Sequence, residues 1–156
     1  MTEFSAFIEW KRNAAPFADK RFSRIHTWRF DGGITLPASA SPHVVAAPYS
    51  SKEAIDPEEA LVASLSACHM LSFLFVAAKQ GFCVDSYSDN ASGILAKNAS
   101  GKYWVSRVTL KPQIAFSGER KPTDEEFQAM HRTAHEECFI ANSVKTEVQC
   151  EPIILR

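Results

Sequence analysis

Phe4, Ala6, Ile8 and Trp10 fall on alternate positions of "FSAFIEW", the period of a half-buried strand. "NAAPFADK" interrupts it. Residues 22–30, "FSRIHTWRF", are rich in β-branched and aromatic side chains, and Asp31–Gly32–Gly33 predicts a hairpin turn before "ITL". The Pro/Ser/Ala-rich piece from Pro37 to Ser51 reads as a loop over the surface or over a neighbouring subunit.

Residues 60–79, "ALVASLSACHMLSFLFVAAK", change the pattern entirely. They hold no Asp, Glu or Arg, and no Lys until the last position. A run of about 20 apolar residues is long enough to cross a bilayer. Its entry is a helix start, with Asp56 as N-cap, Pro57 at the first helical position and Glu59 three residues after the cap. Lys79 and Gly81 supply the stop. The predicted helix runs over residues 57–80 and is apolar almost all round, so it belongs in a protein core or in lipid.

The chain that follows argues for the core. "CVDSYSDNASGILA" and "YWVSRVTLKPQIAF" predict two long strands hinged at Asn98–Ala99–Ser100–Gly101, whose half-apolar faces need a cover. "TDEEFQAMHRTAHEEC" predicts a second helix with a capping box from Thr123 and Glu126. "VKTEVQCEPIIL" predicts a final strand. The order β-β-α-β-β-α-β implies an α+β domain with antiparallel pairing. One sheet covers only one side of the long helix, so a second copy of the chain is expected on the other, across a two-fold axis.

The length of 156 residues suits one domain, taken here as residues 1–156. A net charge of −1, with basic residues scattered along the chain, speaks against nucleic acid. The first residues, "MTEFSAFIEWKRN", do not read as a signal peptide, so a cytoplasmic location is expected, with no membrane partner. Four cysteines there are not a disulfide framework, and each needs its own explanation. Cys83 and Cys150 sit in strand-like surroundings and are expected to be core filler.

Cys68 and Cys138 have polar company. His131, His135 and Cys138 recur at i, i+4 and i+7, one helix face, and such a stripe can bind a metal with His69 or Cys68 completing a tetrahedron. The alternative is a thiol pair. Cys68 lies too deep in its helix for the helix dipole to activate it, so a cation from elsewhere in the fold is required.

"DPEEALVASLSACHM" and "AHEECFIANSVKTEV" resemble the two motifs of the OsmC/Ohr family, the osmotically inducible and organic hydroperoxide resistance proteins. The first corresponds to Asn-Pro-Glu-x-Leu…Ala-Cys and the second to Ala-His-x-x-Cys-Pro-x-Ser-Asn before a strand. The resemblance extends over essentially the whole chain as a single OsmC-like domain. It implies an intertwined α+β homodimer with antiparallel sheets around a long buried central helix. It also implies a thiol peroxidase that takes small apolar hydroperoxides. By motif position Cys68 is the peroxidatic cysteine, Cys138 the resolving cysteine and Glu58 the carboxylate, while Glu59 serves the helix cap. The family's arginine corresponds to Arg24, with Arg29 the competitor.

His69 stands where better-known members carry an aromatic. It could pair with Glu136 or Glu137, orient the arginine, or be a hydrogen-bonded core histidine. Met70, Phe73, Trp28, Phe139 and Ile140 are candidates to line an apolar substrate pocket. Glu58 and Cys68, ten residues apart on one helix, are separated by about 15 Å. If both are catalytic, each Glu58 serves the other subunit's Cys68 and the site lies at the dimer interface. No cofactor or metal is implied for that chemistry; an external dithiol, such as a lipoylated protein, would reduce the disulfide. Two other readings remain. One is a non-enzymatic protein of this fold that binds an apolar ligand at the interface. The other is a metal-binding protein using His131, His135 and Cys138.

Overall fold

The computed structural model describes residues 1–155 and has an α+β architecture. The chain divides into two compact units, Met1–Ala60 and Leu61 onward, with the boundary inside the first helix.

The first unit carries a three-stranded antiparallel sheet, β1 (Ala6–Glu9), β2 (His26–Phe30) and β3 (Thr35–Ala38), in that order. The β2–β3 turn falls where Asp31–Gly32–Gly33 predicts it. The Asp31 carboxylate accepts the Gly32 N–H at 2.8 Å, and Gly33 adopts a φ of 83°, a conformation that favours glycine. Residues 22–25 do not join the strand as their composition suggests. Phe22 stacks on Phe17 at 4.6 Å and meets Trp10 at 5.4 Å, so a local aromatic cluster takes them instead.

The first helix, α1 (Pro57–Lys79), starts as expected. Asp56 Oδ1 accepts the Glu59 N–H at 2.8 Å, and Glu59 Oε2 accepts the Asp56 N–H at 3.2 Å. These two bonds form a reciprocal cap.

The second unit holds two further sheets. The two long strands of the sequence reading are each broken in two: β4 (Cys83–Asp89) and β5 (Ser92–Lys97), then β6 (Tyr103–Leu110) and β7 (Pro112–Ser117). β5 pairs with β6 across the turn at Asn98–Gly101, whereas β4 pairs with β7 in a different sheet. Asp89 marks the switch. Its Oδ1 accepts the Lys111 N–H at 2.6 Å, which takes the place of a ladder partner between β6 and β7, and its Oδ2 accepts from Ser66 on α1 at 2.5 Å. The final strand is also two, β8 (Glu147–Cys150) and β9 (Ile153–Leu155), interrupted at Pro152, which has no N–H to give.

β8 and β9 correct the expected pairing, because they run parallel to β6 and β7. The second helix, α2 (Asp124–Glu137), is the crossover that reverses the chain and makes parallel addition possible. Its Thr123–Glu126 capping box is formed as predicted, with bonds of 3.2 and 2.9 Å.

The second unit has two apolar centres. One joins Phe73, Val76 and Ala77 of α1 to Phe82, Ile114 and Phe116, and to Phe127, Met130 and Ala134 of α2. The other gathers around Leu65, Val108 and Leu110. Helix α1 is buried along one stripe only, Leu65, His69, Phe73, Val76 and Ala77. Its opposite face is apolar and open: Leu71 is 63% and Phe75 68% exposed within one chain. By length and composition the helix could also cross a membrane.

Candidate functional site

Cys68 and Cys138 come together in the second unit. Cys68 lies midway along α1, and Cys138 is the C-cap of α2, where the backbone turns extended at φ −74° and ψ 109°. The cap position follows from the helix's apolar face: Phe127, Met130, His131 and Ala134 bury that face, and Cys138 continues it into the interior. The two thiols are close enough for Cys68 to act on the titration of Cys138. Burial, and then the neighbouring Cys68, push the Cys138 thiol up to about 11; the Ala141 N–H, 3.4 Å from its sulfur, acts in the opposite direction. Cys138 is therefore held as a buried, protonated thiol beside the half-buried Cys68, and all four cysteines are free.

A second group lies deeper. His69 Nε2 on α1 and His131 Nδ1 on α2 share a hydrogen bond of 2.9 Å, with ring planes within 7° of parallel. Cys150 Sγ at the end of β8 is 3.6 Å from the first nitrogen and 3.7 Å from the second. His131 also stacks on Phe73 at 4.2 Å and meets the edge of Phe127 at 4.7 Å. Burial lowers His131 to about 3, with His69 adding to the effect. Burial lowers His69 to about 4, reinforced by His135 and opposed by Asp89. Cys150 is pushed up to about 12 by burial, then by the charges of Asp89 and Glu151.

These positions revise several expectations. His69 is a buried hydrogen-bonded histidine whose partner is His131, neither Glu136 nor Glu137. The stripe of His131, His135 and Cys138 does not converge. His135 is exposed, and His131 joins His69 and Cys150 instead, because the helix turns His135 outward past the buried face. Cys83 is exposed and so is not core filler, whereas Cys150 packs against the Leu65 cluster as expected and in addition meets the two histidines. The signal for Cys150 was its place two residues after Val148 on the inward side of a strand. The signal for His69 was its place between Leu65 and Phe73 at helical spacing.

Among the candidate pocket residues, Phe73 is fully buried in the aromatic centre with Tyr87, Phe116, Phe127 and His131, which makes it packing rather than a wall. Phe139 is 79% exposed, Met70 is half-buried, and Ile140 is half-buried against the Leu65 cluster. Trp28, in the first unit, donates its indole N–H to His26 Nε2 at 2.8 Å.

The first unit also carries the charged candidates. The Arg24 guanidinium donates to the carbonyls of Lys20, at 2.7 Å, and Phe22, and stacks over the Phe22 ring at 3.9 Å. Arg29 is exposed and lies over Phe7 at 4.6 Å. Glu58 is half-buried in the first turn of α1, leaving the cap to Glu59. Among the described residues Arg24 and Glu58 form no ion pair with each other.

The family model for OsmC-like proteins matches residues 50–152. No curated protein matches the sequence. An OsmC-like protein of unknown function from Vibrio cholerae is similar at 57% identity, over 98% of this chain and 100% of that one, with a TM-score of 0.95. More distant structures share the fold. An organic hydroperoxide resistance protein from Elizabethkingia anophelis is 14% identical, over 99% and 96% of the two chains, with a TM-score of 0.69. The organic hydroperoxide resistance protein OhrB of Bacillus subtilis is 19% identical, over 97% and 98%, with a TM-score of 0.62. With both cysteine motifs inside the matched segment and the fold shared along its length, the chain belongs to the OsmC-like protein family.

Proposed function

We propose that this protein is a thiol peroxidase that reduces small apolar hydroperoxides, with Cys68 as the attacking and Cys138 as the resolving cysteine. The observation that carries the reading is that the fold brings Cys68 of α1 beside Cys138 at the cap of α2, with Cys138 held protonated mainly by its burial. The Cys68 thiolate attacks the peroxide, the O–O bond breaks, and the leaving alkoxide takes a proton to become the alcohol. Cys68 is then a sulfenic acid. The Cys138 sulfur displaces its hydroxyl, which leaves as water, and a Cys68–Cys138 disulfide forms. An external dithiol, such as a lipoylated protein, returns both thiols.

The cation and carboxylate come from Arg24 and Glu58 in this reading, with Arg29 the alternative. Arginine stays protonated and its fork can support both thiolate and peroxide oxygen. Ten residues of helix lie between Glu58 and Cys68, so Glu58 serves the Cys68 of a second copy. The open face of α1 at Leu71 and Phe75 supports that homodimer. The cytoplasm, where the thiol pair would be kept reduced, is its proposed location.

The test is intact-protein mass spectrometry on reduced protein after one equivalent of cumene hydroperoxide. Loss of two hydrogens in the wild type, its absence in Cys68→Ser, and an added oxygen in Cys138→Ser are the expected results. A Cys68 that stays reduced while free thiols oxidise would overturn the reading and leave the fold as a binding protein.

A further inference from the structure

Three elements of the second unit each deliver one metal-ligating atom to a common point: His69 Nε2 from α1, His131 Nδ1 from α2 and Cys150 Sγ from β8. The peroxidase reading uses none of them. From these distances we propose that His69, His131 and Cys150 form a His₂Cys site for a d-block divalent cation of the zinc class.

With metal–nitrogen bonds of about 2.05 Å and a metal–sulfur bond of about 2.3 Å, a tetrahedral site has N–N edges near 3.4 Å and N–S edges near 3.6 Å (approximate values). The two N–S separations, 3.6 and 3.7 Å, already match. The N–N separation of 2.9 Å is a hydrogen bond, and it opens by about 0.5 Å when a cation replaces the shared proton. Binding through Nε2 of His69 and Nδ1 of His131 requires both rings neutral, and the buried site favours neutral rings. The thiol proton leaves to solvent, and the proton shared by the rings moves to the other nitrogen of its own ring, so both imidazoles bind as neutral ligands.

Two carboxylates lie near the cluster. The Asp89 carboxylate acts on His69, Tyr87 and Cys150, and Glu151 acts on Cys150. One thiolate and one nearby carboxylate balance a divalent ion. His135 acts in the opposite direction on His69, and it is exposed. Polar capacity is also left over in this interior, since His131 Nε2 and Tyr87 Oη are buried without a hydrogen-bond partner among the described residues. Two imidazoles and one thiolate suit zinc, and exclude calcium and magnesium, which prefer oxygen.

Cobalt(II) is the probe. Full-length protein, reduced and freed of metal by a chelator, is titrated with Co²⁺ and read by absorption. The expected result is one Co²⁺ per chain, with a thiolate-to-cobalt charge-transfer band and tetrahedral d–d bands that Zn²⁺ abolishes. Cys150→Ser and His131→Gln lose the charge-transfer band, whereas Cys68→Ser, Cys138→Ser and Cys83→Ser keep it. No stoichiometric band, or one that survives Cys150→Ser, overturns the proposal. Zinc-edge X-ray absorption on the wild type decides the matter if the cluster variants fail to fold. One sulfur with imidazole nitrogens supports the site, and two sulfurs place the ion on the Cys68–Cys138 pair and overturn it. Neither readout depends on peroxide turnover.

Discussion

The Cys138 thiol, at the cap of α2, stands beside Cys68 in the middle of α1, and burial first, then the neighbouring Cys68, holds Cys138 in its protonated form. The consequence is visible in alkali. Folded Cys138 ionises near 11, whereas the unfolded chain gives up this proton near 9. Between those values the unfolded state binds fewer protons, so stability is retained below pH 9 and declines as pH rises toward 11. Alkylation with iodoacetamide, mapped by peptide mass spectrometry, should label exposed Cys83 at pH 9 and spare Cys138. Urea melts from pH 8 to 11 should show a smaller alkaline loss in Cys138→Ala than in the wild type. Equal labelling of the two cysteines at pH 9 would contradict the buried, protonated state of Cys138.

Leu71 and Phe75 stand one helical turn apart on the open face of α1. A second copy is the proposed cover. Phe75→Asp places a charge on that face and should convert a dimer to a monomer in sedimentation velocity. On the proposed mechanism peroxidase turnover should fall with it, because each Glu58 would lose the Cys68 that it is proposed to serve. A wild-type monomer, or a fully active monomeric variant, removes the shared site.

Phe73 separates packing from substrate binding. It is fully buried, and its ring meets Tyr87, Phe116, Phe127 and His131. Truncation of such a side chain costs about 3–5 kcal/mol. Phe73→Ala should therefore lower the chemical-denaturation midpoint sharply, with Phe73→Leu intermediate. A near-native midpoint with only a raised KM for hydroperoxide would instead make Phe73 a pocket wall.

What could be read from the sequence was what short spacings determine. The caps at Asp56 and Thr123, the turn at Gly32–Gly33 and the two cysteine motifs are all local, and each stands where it was expected. The strand breaks were not legible. Asp89 lies within a continuous strand pattern, and its carboxylate interrupts the partner strand only after folding brings Lys111 to it, 22 residues away. The His69–Cys150 contact spans 81 residues. Periodicity places each of the two residues on a buried face, but only the parallel addition of β8 puts them side by side. The helical stripe of His131, His135 and Cys138 was over-read for the same reason. Shared spacing on one helix does not choose which members the rest of the fold turns inward.

Gly93, in β5, shows how closely α1 lies on its sheet. A Cβ at this position would stand 2.7 Å from Val62 Cγ2 on α1, and 3.5 and 3.7 Å from methyls of Val105 and Val108. No unusual backbone conformation is required here, so the glycine is present for space. Valine has one preferred helical rotamer and cannot swing away freely. Gly93→Ala is therefore expected to destabilise the protein by about 1–3 kcal/mol through overpacking. Val62→Ala alone removes apolar contacts and is also destabilising. In the double variant the clash is absent, so its loss should be smaller than the sum of the two single losses by about 1 kcal/mol, within the range seen for contacting pairs. Urea denaturation of the four proteins gives this coupling directly. Strict additivity would mean that α1 moves off the sheet to accept the methyl, and that the close seating of the Cys68 helix is not imposed by Gly93.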